Sequence, residues 1–241
     1  MLNVSASGPV ALLELDRPDR RNALDIAQCR RIAAAVPQVL DAGARVIVVT
    51  GAGSSFCSGA DFGEVGTDGF RDALYAALHA LTDAPVPCVA AVNGPAIGAG
   101  TQLAIACDVR VGAPGAVFGV PTAQIGLAVD PWTVHRLAQI AGGAAARALL
   151  LACVRMPVEQ AFARGLVDVL GDRAGALELA ASMATLAPLT HRYNKLALDR
   201  TDLPADDPLL VGAFEACWTS DDMREGQRAR AERRPAVFTG A

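Results

Sequence analysis

The segment Val89–Leu103 places the strongest constraint on what this chain can fold into. Its first four residues are apolar and typical of a buried strand, and the turn-forming sequence Asn93-Gly94-Pro95 follows them. Small residues then lead into a stretch of helical character that continues to Cys107. The first N–H groups of a helix have no intrahelical partner and lie at the positive end of its dipole. The segment therefore predicts a site where a ligand oxygen approaches backbone donors closely.

A second segment, Val49–Phe62, has the same design, because a short apolar strand leads into a run rich in glycine, serine and alanine. If the two segments face each other, two backbone N–H groups can point at one carbonyl oxygen. The pair predicts an anion-stabilising site built from backbone rather than from side chains.

The bulk properties favour one globular domain. The chain has 241 residues, of which 52% are hydrophobic and 19% are charged, far from the composition of a disordered protein. A net charge of −4 gives no electrostatic reason to expect nucleic acid or an anionic membrane as a partner. No apolar run is long enough to cross a bilayer, and the first residues lack the pattern of an export signal. These features predict a cytoplasmic protein without a membrane span.

Cysteine and histidine usage points the same way. The six cysteines are scattered through apolar segments without close pairing, which favours reduced structural thiols. The three histidines, His79, His135 and His191, show no helical ligand spacing, so we expect no metal site.

The order of predicted elements indicates a layered α/β core. Strands are expected at 10–15 and 46–49, and Asn22 is predicted to cap a helix over 23–40 in which Pro37 causes a kink or an early end. Strand and helix patterns then alternate, which is typical of layered α/β architecture. From about Ala174 helical patterns dominate.

The motifs Phe56–Asp61 and Asn93–Gly100, preceded by Arg17-Pro18 and Asn22–Leu24, resemble the paired signature of the crotonase (enoyl-CoA hydratase/isomerase) superfamily. The resemblance extends from about residue 17 to residue 238. It implies an α/β fold in which ββα repeats wind as a spiral similar to that of ClpP. It also implies a core over 1–172, a helical oligomerisation region over 173–241, and a homotrimer or a dimer of trimers.

The same resemblance implies an acyl-CoA site. The backbone N–H groups of Ala60 and Ala99 correspond to an oxyanion hole that holds the thioester oxygen, each donor contributing roughly 3 kcal/mol where enolate charge develops. The alternative is that the two loops are only tight turns of the fold and hold no ligand. The CoA moiety is expected to contact Arg20, Asn22, Ala23, Leu24, Ser58, Ala60, Asp61, Phe62 and Arg233. Arg233 would reach the phosphates, or it is an ordinary solvated charge. The CoA thioester is the substrate or ligand itself, and no separate cofactor is implied.

The chain departs from the family pattern at two positions. Gln102 and Thr122 stand where hydratases carry the two glutamates that activate water and exchange the proton at the α-carbon. An amide does not titrate near neutrality, and a threonine hydroxyl is a poor base without a helper. Since general acid–base groups typically supply factors of hundreds to thousands, ordinary hydratase activity is not expected.

Three further residues are candidates with two readings each. Asp130 lies near the position of a working aspartate in related isomerases and lyases, but it also precedes Pro131 as a helix cap would. His79 is either a catalytic histidine or an ordinary helix residue. Trp132 either walls the acyl pocket or fills the core.

The predicted acyl pocket is apolar, which favours a fatty acyl group. Its expected lining is Ile97, Phe118, Val120, Leu127, Val129 and Trp132. The sequence therefore predicts a fatty acyl-CoA binder or carrier in lipid metabolism. The alternatives are an acyl-CoA isomerase, lyase or hydrolase that uses Asp130, and an assembly scaffold that binds no ligand.

Overall fold

The computed structural model describes every residue from Met1 to Ala241. The strands are β1 (Leu2–Ser7), β2 (Val10–Leu15), β3 (Val46–Gly51), β4 (Cys88–Val92), β5 (Ala96–Ile97), β6 (Val109–Gly112), β7 (Val117–Gly119), β8 (Met156–Pro157) and β9 (Val169–Leu170). The helices are α1 (Ile26–Asp41), α2 (Phe70–Thr82), α3 (Ala99–Ala106), α4 (Pro131–Leu150), α5 (Val158–Ala163), α6 (Arg173–Met183), α7 (Pro188–Asp199), α8 (Pro208–Thr219) and α9 (Asp221–Glu232). Short 3₁₀ helices lie at Pro18–Arg20 and Pro121–Ile125.

The strands form two sheets. The larger has the order β1-β2-β3-β4-β6-β9, in which β1 and β2 are antiparallel and the remaining pairs are parallel. The smaller has the order β5-β7-β8, and an isolated parallel bridge joins Cys57 to Ala96 at its edge. The antiparallel strand β1 is absent from the sequence prediction, although the Gly8-Pro9 turn marks the hairpin.

Three successive repeats alternate between the sheets. In each, a long strand (β3, β4 or β6) is followed by a short strand or bridge in the smaller sheet (Cys57, β5 or β7), and then by a helix (α2, α3 or α4). This ββα order confirms the predicted crotonase spiral. Parallel pairing brings the carboxyl ends of β3 and β4 to the same edge, so the two loops of interest leave the sheet side by side.

Both faces of the larger sheet are covered. Ile47 and Val49 of β3 point into the main core with the helices α1 and α2, whereas Val46 and Val48 pack against α6. All six residues of β3 are buried, as expected for a parallel strand between two helical layers. Because α6 packs on the sheet, it belongs physically with the core. The predicted division at 172/173 stays a prediction.

The predicted cap of α1 is wrong. The helix begins at Ile26, its N-cap is Asp25, which accepts from Gln28 N over 2.6 Å, and Glu64 accepts from Ile26 N over 2.7 Å. Asn22 instead adopts a positive φ of 59° and is buried. The predicted early end at Pro37 is also wrong, since the helix continues to Asp41. Gly142 interrupts α4 at a non-helical φ of 78°.

The C-terminal helices are tied to the core by a buried charge. Nζ of Lys195 in α7 lies 2.9 Å from Oδ2 of Asp108 and donates to the carbonyl oxygens of Leu81 and Val86 over 2.8 and 3.2 Å. The last residues are fastened similarly, because Glu225 pairs with Arg234. By contrast, α8 buries no residue.

The cysteines and the helix lengths complete the description. All six cysteines are free, and burial raises the pKa of the Cys29, Cys57 and Cys88 thiols to about 12. These thiols are therefore protonated and unreactive at neutral pH. None of the helices combines the length and apolar character needed to span a bilayer.

Candidate functional site

The loops that follow β3 and β4 run side by side with almost no space between their backbones. Ile97 N donates to Cys57 O over 2.9 Å, and Cys57 N donates to Pro95 O over 3.1 Å. A Cβ on Gly100 would lie 2.1 Å from Cys57 O, and one on Gly59 would lie 2.8 Å from Ile97 O. Gly59 and Gly100 are therefore required by contact between the loops.

The upstream motif joins the same assembly on its other side. Leu24 N donates to Gly59 O over 2.8 Å, and Asp61 N donates to Leu24 O over 2.7 Å. Asn22 anchors this segment, since Nδ2 donates to the carbonyl oxygens of Ala52 and Ser55 over 2.9 and 2.8 Å. The structure thus brings together all three sequence motifs, although they are far apart in the chain.

The two loops carry N–H groups that have no partner in the protein. The N–H groups of Ala60 and Ala99 donate no hydrogen bond, and neither do those of Gly59 and Gly100 beside them. Ala99 is the first residue of α3, and Gly98 before it takes a φ of 55°. The N–H of Ala99 therefore lies at the positive end of a helix dipole. Ala60 and Ala99 border the same cavity.

This cavity encloses about 830 Å³, including the solvent at its mouth, and is mainly apolar. Its lining is Ser58, Gly59, Ala60, Phe62, Val65, Phe70, Arg71, Leu74, Tyr75, Ile97, Gly98, Ala99, Gln102, Pro121, Thr122, Ile125, Leu127, Ala128 and Val129. Three of the expected wall residues are not part of it. Phe118 and Val120 are completely buried in the core, and Trp132 faces elsewhere.

The cavity has few polar side chains. Gln102 and Thr122, which replace the expected glutamates, both line it. Arg71 and Tyr75 also line it and were missed by sequence analysis, although their spacing of four residues places them on one face of α2. Burial, and then the negative charge of Asp130, raise the pKa of the Tyr75 phenol, so this group remains a neutral hydrogen-bond donor.

Gln102 begins a buried series of hydrogen bonds that continues through Thr133 to Asp130. Its Nε2 donates to Thr133 Oγ1 over 2.7 Å and lies 3.4 Å from Asp130 Oδ1. The Thr133 hydroxyl donates to Asp130 Oδ1 over 2.5 Å. Asp130 occupies the N-cap position of α4, but its side chain makes no capping hydrogen bond, and it does not line the cavity. Neither sequence-based reading of Asp130 anticipated this contact.

The comparisons with known proteins identify the family. The model of the enoyl-CoA hydratase/isomerase family matches residues 5–241. The chain belongs to this family. The Mycobacterium tuberculosis protein named "Probable enoyl-CoA hydratase echA6" is 40% identical over the full length of both chains, and a "Putative enoyl-CoA hydratase/isomerase YngF" of Bacillus subtilis is 32% identical over 96% of this chain and 95% of its own.

Solved structures of family members have the same fold. An enoyl-CoA hydratase/carnithine racemase from Magnetospirillum magneticum superposes with a TM-score of 0.91 at 29% identity, covering 100% of this chain and 96% of its own. An enoyl-CoA hydratase from Mycobacterium tuberculosis superposes with a TM-score of 0.86 at 30% identity, covering 100% and 99%. The crotonase fold of the chain is therefore established.

The residues expected to contact CoA in this family member fall into four groups. Ser58, Ala60 and Phe62 line the cavity, and Phe62 is 76% exposed at its mouth. Asn22, Ala23 and Leu24 are buried beside the loop, and Arg20 is exposed next to them. Asp61 lies 3.4 Å from Arg17, which also pairs with Asp25 at 2.6 Å. Arg233 forms no ion pair, caps α9 with a φ of 56° and does not line the cavity.

His79 is also separated from the cavity. Its ring packs edge-on against Trp132, with centroids 6.4 Å apart, and both border a different, polar depression that includes Arg136 and Asp199. The geometry favours the reading of His79 as an ordinary helix residue.

Proposed function

We propose that this family member binds a fatty acyl-CoA thioester without hydrating it, and acts as an acyl-CoA binder or carrier in fatty-acid and lipid metabolism. One observation supports the proposal above all: the free N–H groups of Ala60 and Ala99 border an apolar cavity whose lining, which includes Gln102 and Thr122, contains no carboxylate. The six cysteines, none of which forms a disulfide, support a cytoplasmic location.

The two N–H groups suit a thioester carbonyl. A polarised carbonyl oxygen accepts two hydrogen bonds from preorganised donors, and the dipole of α3 adds to the attraction. The acyl chain would extend along the apolar wall formed by Leu74, Ile97 and Val129. Neither an amide nor an unassisted hydroxyl activates water, so the bound thioester would persist.

The alternative enzyme hypothesis depends on Asp130. Its Oδ1 is engaged by Thr133 and Gln102, and its carboxylate does not border the cavity. An acid or base must come within hydrogen-bond distance of the proton that it transfers. The observed contacts therefore favour the binder over an Asp130-based isomerase, lyase or hydrolase.

We further propose that the chain assembles as a homotrimer or a dimer of trimers through its C-terminal helices. The support is the apolar surface of α8, where Leu209, Val211, Phe214 and Trp218 are each at least 39% exposed. An assembled neighbour would also offer Arg233 to CoA phosphates, for which a guanidinium is well suited.

The experiment combines turnover with binding. The loss of enoyl absorbance is followed for trans-2-enoyl-CoA esters of increasing chain length, beside a hydratase that has both glutamates. Calorimetric titration with the matching saturated acyl-CoA then measures affinity. Binding without turnover is the expected result. Turnover within a hundredfold of the control enzyme would contradict the binder, and the absence of all binding would favour a ligand-free scaffold.

A further inference from the structure

The chain Gln102–Thr133–Asp130 has only one consistent direction. An ionised carboxylate only accepts hydrogen bonds, so the Thr133 proton points to Asp130 and the lone pair of Thr133 accepts from Gln102. The amide group 3.4 Å from Asp130 must then be the nitrogen. This contact fixes the sense of the amide, because the flipped amide would place its oxygen against the carboxylate.

The amide oxygen is consequently presented to the cavity. Oε1 of Gln102 accepts no hydrogen bond from the protein, although the residue is only 5% exposed. Two completely enclosed side-chain polar atoms lack a hydrogen-bond partner, namely Oε1 of Gln28 and Oδ2 of Asp199. Oε1 of Gln102 also lacks a partner but is not one of these enclosed atoms, so it retains accessible surface. Gln102 lines the cavity, and it lies one helical turn from Ala99 in α3. An acceptor therefore faces the ligand close to the proposed thioester site.

The geometry points to Gln102 as the residue that selects, through its Oε1, acyl thioesters carrying a hydroxyl group near the thioester. Thr133 and Asp130 are positioning residues that orient its amide. The inference rests on the proposed function, since it concerns the ligand of the same cavity. An unsubstituted chain that covers Oε1 removes water from an acceptor without replacing it, whereas a hydroxyl donates the missing hydrogen bond. The site would thus bind such a hydroxyl group without removing its proton.

The expected preference is about tenfold, because an unsatisfied buried acceptor typically costs about that much in affinity. Calorimetric titration with octanoyl-CoA, 2-hydroxyoctanoyl-CoA and 3-hydroxyoctanoyl-CoA measures it on the full-length protein. The ratio of affinities between a hydroxylated ester and the plain ester is the readout. The two hydroxylated esters reveal which carbon lies opposite Oε1.

Two pairs of variants test the positioning role. Thr133→Val removes the hydroxyl while keeping the shape of the side chain, and it is expected to lower the ratio, because only the longer contact with Asp130 then orients the amide. Thr133→Ser restores the hydroxyl and is expected to restore most of the ratio. Gln102→Met removes the acceptor and is expected to abolish the preference, while Gln124→Met, at an exposed glutamine that does not line the cavity, is expected to leave it nearly unchanged.

The outcomes separate this inference from the proposed function. If all three esters bind with equal affinity, the inference is overturned, while the proposal of acyl-CoA binding still stands. No binding of any ester would remove the proposed function and the inference with it. If Thr133→Val weakened all three esters by the same factor, the threonine would be structural only, and the positioning role would be overturned.

Discussion

Two parts of the same cavity differ in how they are built. The paired loops around Ala60 and Ala99 are made of backbone, whereas the inner end around Gln102 and Thr122 is made of side chains. In the loops, the contact between Gly100 and Cys57 leaves no room for a larger residue. At the inner end, an amide and a hydroxyl fit where carboxylates are expected.

In the proposed function, this difference explains how a family member keeps its binding site and loses the usual acid–base chemistry. A donor built from backbone depends on the path of the chain, and the same close contacts that form it also hold the fold together. A carboxylate depends on one side chain, and its replacement by an amide of similar size leaves the packing intact. On this proposal, binding in the cavity is coupled to folding, while acid–base chemistry is separable from it.

The largest effect is expected from placing glutamates at the two side-chain positions of the inner end, without changing the loops. Gln102→Glu combined with Thr122→Glu is expected to raise the hydration rate of a trans-2-enoyl-CoA by a factor of about 100 or more, since each general acid–base group typically supplies at least that much. Loss of enoyl absorbance measures the rate. Gln102→Met with Thr122→Val is the matched control and should give no gain. Failure of the double glutamate variant, with acyl-CoA affinity intact, would show that the loops are not placed for hydration.

The next largest effect is expected from adding one methyl group to the paired loops. Gly100→Ala places a Cβ 2.1 Å from Cys57 O, and we expect it to destabilise the fold by about 3 kcal/mol because neither backbone can move freely. Denaturant-induced unfolding measures the change. Gly66→Ala, where a Cβ meets nothing within 4 Å, is the control, and it should shift stability by less than about 0.5 kcal/mol. Equal stability of the two variants would refute the steric requirement.

The smallest effect is expected from removing one donor while keeping the backbone path. Ala99→Pro deletes the N–H at the first position of α3, where proline is well tolerated. Affinity for a saturated acyl-CoA is expected to fall roughly tenfold, the contribution of one hydrogen bond of about 1.4 kcal/mol. Calorimetry measures the loss, and Ala99→Ser, which retains the N–H, should bind like the parent protein. An unchanged affinity for the proline variant would mean that Ala99 does not contact the thioester.

The sequence by itself determined the fold family and the two loops. These features are local, because an apolar strand followed by glycines and a helix start is recognisable from neighbouring residues. The role of Asn22 was not predictable in this way. Its polarity and position suggest a helix cap, yet it takes a positive φ and bridges to Ala52 and Ser55.

Only the tertiary structure decided which side chains share the cavity. Thr133 is 31 residues from Gln102 in the sequence, and the bond between them exists because α3 and α4 pack together. The packing of α4 turns Trp132 away from the cavity, and the packing of α2 turns His79 away from it and brings Tyr75 to it. The direction in which a helical side chain points depends on the rotation of the whole helix against its neighbours. That rotation is set by long-range contacts, which the local pattern of residues does not contain.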